Sequence, residues 1–211
     1  MLLALVDQLR CTGSHVESWL VARADVVEGR RMVQGVLGCP VCQVEREVRA
    51  GVVRWTPDAS VATDGAAARD PDGAAVMRMG ALLGLTDGAG LFVLCGPAAS
   101  VAGGLSGLAD VALLLLDPPD DRAAPFATVV RGAPGMPLAR GAAHGIAIGA
   151  PFDGPGQIAS AVLTLTRGGR LVATAQLAVP PGIRELARDA THWVGEREAD
   201  VVTLGRAALA P

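Results

Sequence analysis

LFVLCGPAASVAGGLSGLADVALLLLDPP, residues 91–119, decides how the rest of the chain is read. LFVLC (91–95) and VALLLLD (111–117) are short, unbroken apolar runs. Runs of this length suit strands buried on both faces, the usual signature of a parallel sheet. A helix predicted at 98–108 would carry the chain from one run back to the start of the next, as a parallel crossover requires. The VALLLLDPP run (111–119) is too short to span a bilayer.

The same pattern continues in both directions. FATVV (126–130), GIAIG (145–149) and RLVATAQ (170–176) are further apolar runs between Gly/Pro turns. AAVMRMGALLGL (74–85) has helical spacing of Met and Leu, and a second crossover helix is predicted at 155–166. IRELARDA (183–190) follows the fifth run, and HWVGERE (192–198) with VVTLGRA (201–207) suggests a closing antiparallel pair. The expected fold for 73–211 is therefore α/β, a doubly wound, mostly parallel, Rossmann-like sheet. Residues 56–72, TPDASVATDGAAARDPD, are rich in Pro, Asp, Ala and Gly without periodicity and read as a linker or an ordered loop.

Residues 1–55 form a different module. Cys11 lies upstream of the knuckle Cys39-Pro40-Val41-Cys42, and His15 lies close to Cys11. Two thiolates on one tight turn can reach a single tetrahedral ion, and a neutral imidazole makes a good further zinc ligand. Cys11, His15, Cys39 and Cys42 are thus the candidate metal ligands. MLLALVDQL reads as a short helix or turn. Strands are expected over 15–27, over 30–39 and on either side of Ala50-Gly51, with a turn at Glu28-Gly29. So small a module buries little core of its own, and metal would supply much of its folding energy.

Composition narrows the classes. The chain of 211 residues is half apolar and carries a formal charge of −3. It has no lysine and no tyrosine, and only three Phe and three Trp. An acidic balance argues against a general phosphate-binding surface, and so few aromatics argue against a single-stranded nucleic acid platform. The N-terminus lacks the basic and long apolar regions of a signal peptide. Free thiols without such a signal suit a reducing cytoplasm.

The first module resembles the short zinc ribbon that activates methyltransferases and is fused to the front of some of them. The residues that carry this are Leu9-Arg10-Cys11, the Cys39–Cys42 knuckle, and Glu47-Val48-Arg49-Ala50-Gly51-Val52-Val53. In that family the first knuckle also has two cysteines, whereas here Ser14 stands at the second position and His15 follows it. Residues 73–211 resemble class I S-adenosylmethionine-dependent methyltransferases. The matches are Cys95-Gly96-Pro97, Gly135-Met136-Pro137-Leu138 and the stretch Leu165–Val172 around Gly168-Gly169.

The resemblance implies cofactor-binding roles for Gly96 and for Asp117 at the end of the second run, where an acid would meet ribose hydroxyls. It also exposes departures. Phe92 stands at the family's acidic position, Leu94 at its first glycine and Ala98 at its third. Ala133 and Gly145 fall where acids are common, and His144 stands where an aromatic is usual. His144 reads as a structural position rather than a general base, and no catalytic residue is assigned. The expectation is a methyltransferase-like protein with a degraded cofactor loop, acting as a binding, scaffolding or regulatory subunit. Its partner would be another protein or a related methyltransferase, and exposed sheet edges allow a homodimer. The alternative is an active S-adenosylmethionine-dependent enzyme with a divergent pocket. No nucleic acid or membrane partner is expected.

Overall fold

The computed structural model describes residues 1–56, 72–85, 90–119 and 127–198. Most of the expected linker, the Asp120-Asp121 pair and the 201–207 strand lie outside the described residues. Eleven strands are described: β1 (Val21–Glu28), β2 (Arg31–Gly38), β3 (Glu45–Arg49), β4 (Val52–Arg54), β5 (Leu91–Cys95), β6 (Ala112–Leu116), β7 (Ala127–Arg131), β8 (Ala143–Ala147), β9 (Leu165–Thr174), β10 (Ile183–Arg188) and β11 (His192–Arg197). They form one continuous sheet in the order β1-β2-β3-β4-β7-β6-β5-β8-β9-β11-β10.

This corrects the expected doubly wound, mostly parallel, Rossmann-like sheet. Five pairings, from β4–β7 through β8–β9, are parallel. The other five are antiparallel, three at one end of the sheet and two at the other. The helices are few and short: α1 (Gly73–Leu83), α2 (Ala102–Leu108) and α3 (Pro155–Thr164), with 3-10 turns at Leu3–Gln8 and Gly96–Val101. The connection from β7 to β8 contains no helix at all. Apolar runs report burial, but they do not report what covers a strand or which way its neighbour points. Residues 183–190, read alongside the helices, supply β10, an edge strand in which only Ile183 is buried.

The antiparallel hairpins of the first 55 residues join the sheet through β4, whose Val52, Val53 and Arg54 pair in parallel with Val129, Val130 and Arg131 of β7. Their turns sit where the sequence places them. Gly29 has φ 59°, and Ala50 and Gly51 have φ 50° and 78°, the left-handed conformation that tight hairpin turns require. Strand alternation sorts the apolar runs between two faces. Val93, Cys95, Leu114 and Leu116 belong to the core under α3 and the N-terminal segment. Phe92, Leu94, Leu113 and Leu115 belong to the core under α1 and α2. Helix α1 is capped at its start by Asp72, whose carboxylate accepts from the Ala74 and Ala75 amides, and it ends at Gly84 in the left-handed conformation.

Candidate metal centre

The N-terminal segment is pinned to the sheet before it reaches Cys11. The Arg10 amide donates to the Pro137 carbonyl at 3.0 Å, and the Cys11 amide donates to the Ser18 carbonyl at 2.9 Å. The second contact closes a loop over residues 11–18 and turns His15 back toward Cys11. The knuckle is the β2–β3 hairpin turn. It is held by the Gln43 amide on the Cys39 carbonyl at 2.9 Å and the Cys39 amide on the Val44 carbonyl at 3.1 Å, with Gln43 at φ 59°.

These two loops bring the four expected ligands together. One ligand atom from each of Cys11, His15, Cys39 and Cys42 lies within 4.8 Å of the others. Cys11 Sγ is 3.7 Å from Cys42 Sγ, and His15 Nε2 is 3.3 Å from Cys11 Sγ and 3.5 Å from Cys39 Sγ. The four groups are close enough to bind one metal ion, and their chemistry suits zinc. Ser14 is exposed and outside the cluster. The longer imidazole, one residue on, reaches the place its hydroxyl does not. His15 Nδ1 lies 2.7 Å from the Val16 carbonyl. A proton on Nδ1 satisfies that carbonyl and leaves Nε2 as the free lone pair, an orientation common among metal-bound histidines.

The surroundings favour an ionised Cys39. Burial works to raise the Cys39 thiol, but the Cys42 and Val41 amides and hydrogen bonds from its cysteine neighbours bring it down to about 6. Cys11 Sγ accepts from the Gly13 amide at 3.4 Å and from Arg46 Nη2 at 3.6 Å. Arg46 is a buried cation lying 4.3 Å from the centre of the Trp55 ring, and Trp55 Nε1 donates to Thr12 Oγ1 at 2.9 Å. Sequence reading missed Arg46, Trp55 and Thr12, because each acts through contacts that chain spacing does not reveal. The Cys11-x-x-x-His15 interval is the sequence signal that the fourth ligand would come from this loop.

The residues expected to meet a cofactor are placed apart from this cluster and are engaged with the protein itself. Phe92 and Leu94 are core residues of β5, and a Cβ at Gly145 would stand 2.7 Å from the Phe92 ring. Gly96 has φ 56°, and a Cβ there would stand 2.1 Å from the Ala150 carbonyl oxygen, so the loops after β5 and β8 meet backbone to backbone. Asp117 has φ 44°, and its carboxylate accepts from the Gly132 amide at 2.8 Å, tying the ends of β6 and β7 together. A cavity of about 340 Å³ lies beside the Gly96–Ala150 contact, with walls that include Met79, Leu82, Val101 and Ile148.

Among the described residues, neither remaining histidine completes a catalytic set. His144 is exposed at the start of β8, 6.3 Å from the Phe92 ring. His192 lies 3.0 Å from the Thr191 hydroxyl, and burial, then Arg78, lowers its pKa. Cys95 is fully buried, and burial with Asp117 nearby pushes its thiol well above the ordinary range, so it is not a ready nucleophile.

No family model matches the chain, and no curated protein matches it in sequence. Among the described residues no helix is long and apolar enough to cross a membrane.

Proposed function

We propose that Cys11, His15, Cys39 and Cys42 hold one structural zinc ion, and that the chain is a methyltransferase-like protein acting as a binding or regulatory subunit rather than as a transferase. The observation that carries the zinc reading is the size of the cluster. Bond lengths of about 2.3 Å to sulfur and about 2.05 Å to nitrogen give a tetrahedron with edges of about 3.8 Å between sulfurs and about 3.5 Å between sulfur and nitrogen. The separations of 3.7, 3.3 and 3.5 Å match those edges. Four protein ligands close the coordination sphere and leave no position for water or substrate, which is the pattern of a structural rather than a catalytic site.

The second part of the reading is supported by the groups a cofactor would need. Gly96 uses its missing Cβ to admit Ala150, and Asp117 spends a carboxylate oxygen on Gly132. Phe92, where an acid would be required, is 4% exposed in the core.

Two measurements test the two parts. Elemental analysis of protein purified without chelator is expected to give about one zinc per chain, lost in a Cys39→Ser/Cys42→Ser variant. Metal-free wild type would defeat the zinc assignment. Calorimetric titration with S-adenosylmethionine and its demethylated product is expected to show no binding. Micromolar affinity for either would favour the active enzyme, with Gly96 and Asp117 as its cofactor contacts.

A further inference from the structure

On the α3 face of the sheet, a cleft of about 620 Å³ separates residues 10–17 from α3 and from the β7–β8 connection. This volume is ordinary for a small-molecule site, which typically spans about 300–1,000 Å³. No helix fills this side of the β7–β8 crossover. Its place is taken by the N-terminal strip, through the Arg10 amide on Pro137 and the Ala139 amide on the Gln8 carbonyl at 2.8 Å. The walls carry Arg10, Glu17, Arg140, Gln157 and Ser160.

Three features of the walls point to an anion. Arg10 is 6% exposed, with its guanidinium 3.5 Å from the centre of the Trp19 ring. Its Nη1 donates to the Leu9 and Asp7 carbonyls at 2.9 and 3.3 Å, but its Nε has no hydrogen-bond partner. Half-exposed Glu17 pairs its charge with Arg10 at 3.8 Å from that Nε, beyond hydrogen-bond reach. Arg140 lines the same cleft and makes no hydrogen bond or ion pair among the described residues. Gly156 and Gln157 open α3 onto the cleft, and its N-cap, Gly154, offers no side chain to the first amides. Unfilled amides and the positive end of a helix dipole attract anions, and two arginines beside them strengthen that preference.

We propose that this cleft binds a small oxyanion-bearing molecule, phosphate or carboxylate, between Arg10, Arg140 and the start of α3. The proposal holds for whichever metal fills the neighbouring centre, with which the cleft shares Cys11 and His15. It is tested by calorimetric titration of the full metal-loaded chain with inorganic phosphate and, separately, with glutarate, both at low ionic strength. Saturable one-to-one binding of at least one probe is expected, and the arm that binds identifies the chemistry. Arg140→Glu should weaken that binding by about tenfold or more. Arg140 is exposed and unpaired among the described residues, so this variant keeps its fold, which circular dichroism checks. Arg10→Lys, which keeps the charge but loses the guanidinium fork, should weaken binding as well. Silence from both probes at about 10 mM overturns the proposal, as does an Arg140→Glu chain that binds like the wild type.

Discussion

Arg46 carries a cation into the interior, where it is 5% exposed and has no carboxylate partner among the described residues. A buried charge without compensation is strongly destabilising, so its counter-charge has to come from what it touches. It touches Cys11 sulfur. With the proposed zinc bound, three thiolates, a neutral imidazole and a dication would sum to one negative charge, which a guanidinium offsets. Arg46→Met keeps much of the packing on Trp55 and removes that charge. It is predicted to lose zinc to a competing chelator about tenfold more readily, with Arg46→Lys in between. At the fourth ligand, His15→Cys should keep the metal as an all-sulfur site, whereas His15→Ala should lose it at least about tenfold more readily, both read by chelator competition. The sequence made the four ligands legible because knuckle spacing follows directly from coordination geometry. It left Arg46 unread because a charged residue reads as solvent-facing, although alternation puts it on the face of buried Val48.

Among the elements, the β10–β11 hairpin shows how a short loop is fixed electrostatically. Asp189 Oδ1 accepts from the Thr191 amide at 2.7 Å, the Thr191 hydroxyl at 2.9 Å and the His192 amide at 3.0 Å, while Oδ2 meets Arg78 from α1. These bonds, led by the two amides, hold its pKa well below the ordinary carboxylate range. A carboxylate depressed on folding stabilises the fold above its unfolded pKa of about 4, and that contribution is lost as pH falls through the folded value. The stability difference between wild type and Asp189→Ala, measured by urea unfolding, should therefore be full at pH 7 and shrink below about pH 4. Strand β5 makes a second case. Phe92 fills the space that Gly145 leaves open, so Phe92→Ala should cost about 3–5 kcal/mol in the same assay. The apolar runs located β5 and β6 closely. They could not foresee β10, because a charged edge strand with one buried residue has the composition of an exposed helix.

Across the whole molecule, the candidate metal ligands and the central strands share one sheet. Cys39 and Cys42 sit between β2 and β3, β3 pairs with β4, and β4 pairs with β7. Removing the metal should therefore loosen more than a surface loop. Chelation is predicted to shift the fluorescence of buried Trp55, which stacks on Arg46 and donates to Thr12 within the cluster's surroundings. The buried centre of the sheet was readable from strand composition, without the direction of its strands. Its fusion with the antiparallel hairpins was not, because the Val52–Arg54 pairing with Val129–Arg131 joins segments far apart in the chain. The central claim is that one imidazole and three thiolates of this chain enclose a zinc ion. X-ray absorption at the zinc edge tests it most directly, with three sulfurs at about 2.3 Å and one nitrogen at about 2.0–2.1 Å as the predicted shell. A shell with two sulfurs or fewer, or with a bound water in place of the His15 nitrogen, would contradict it.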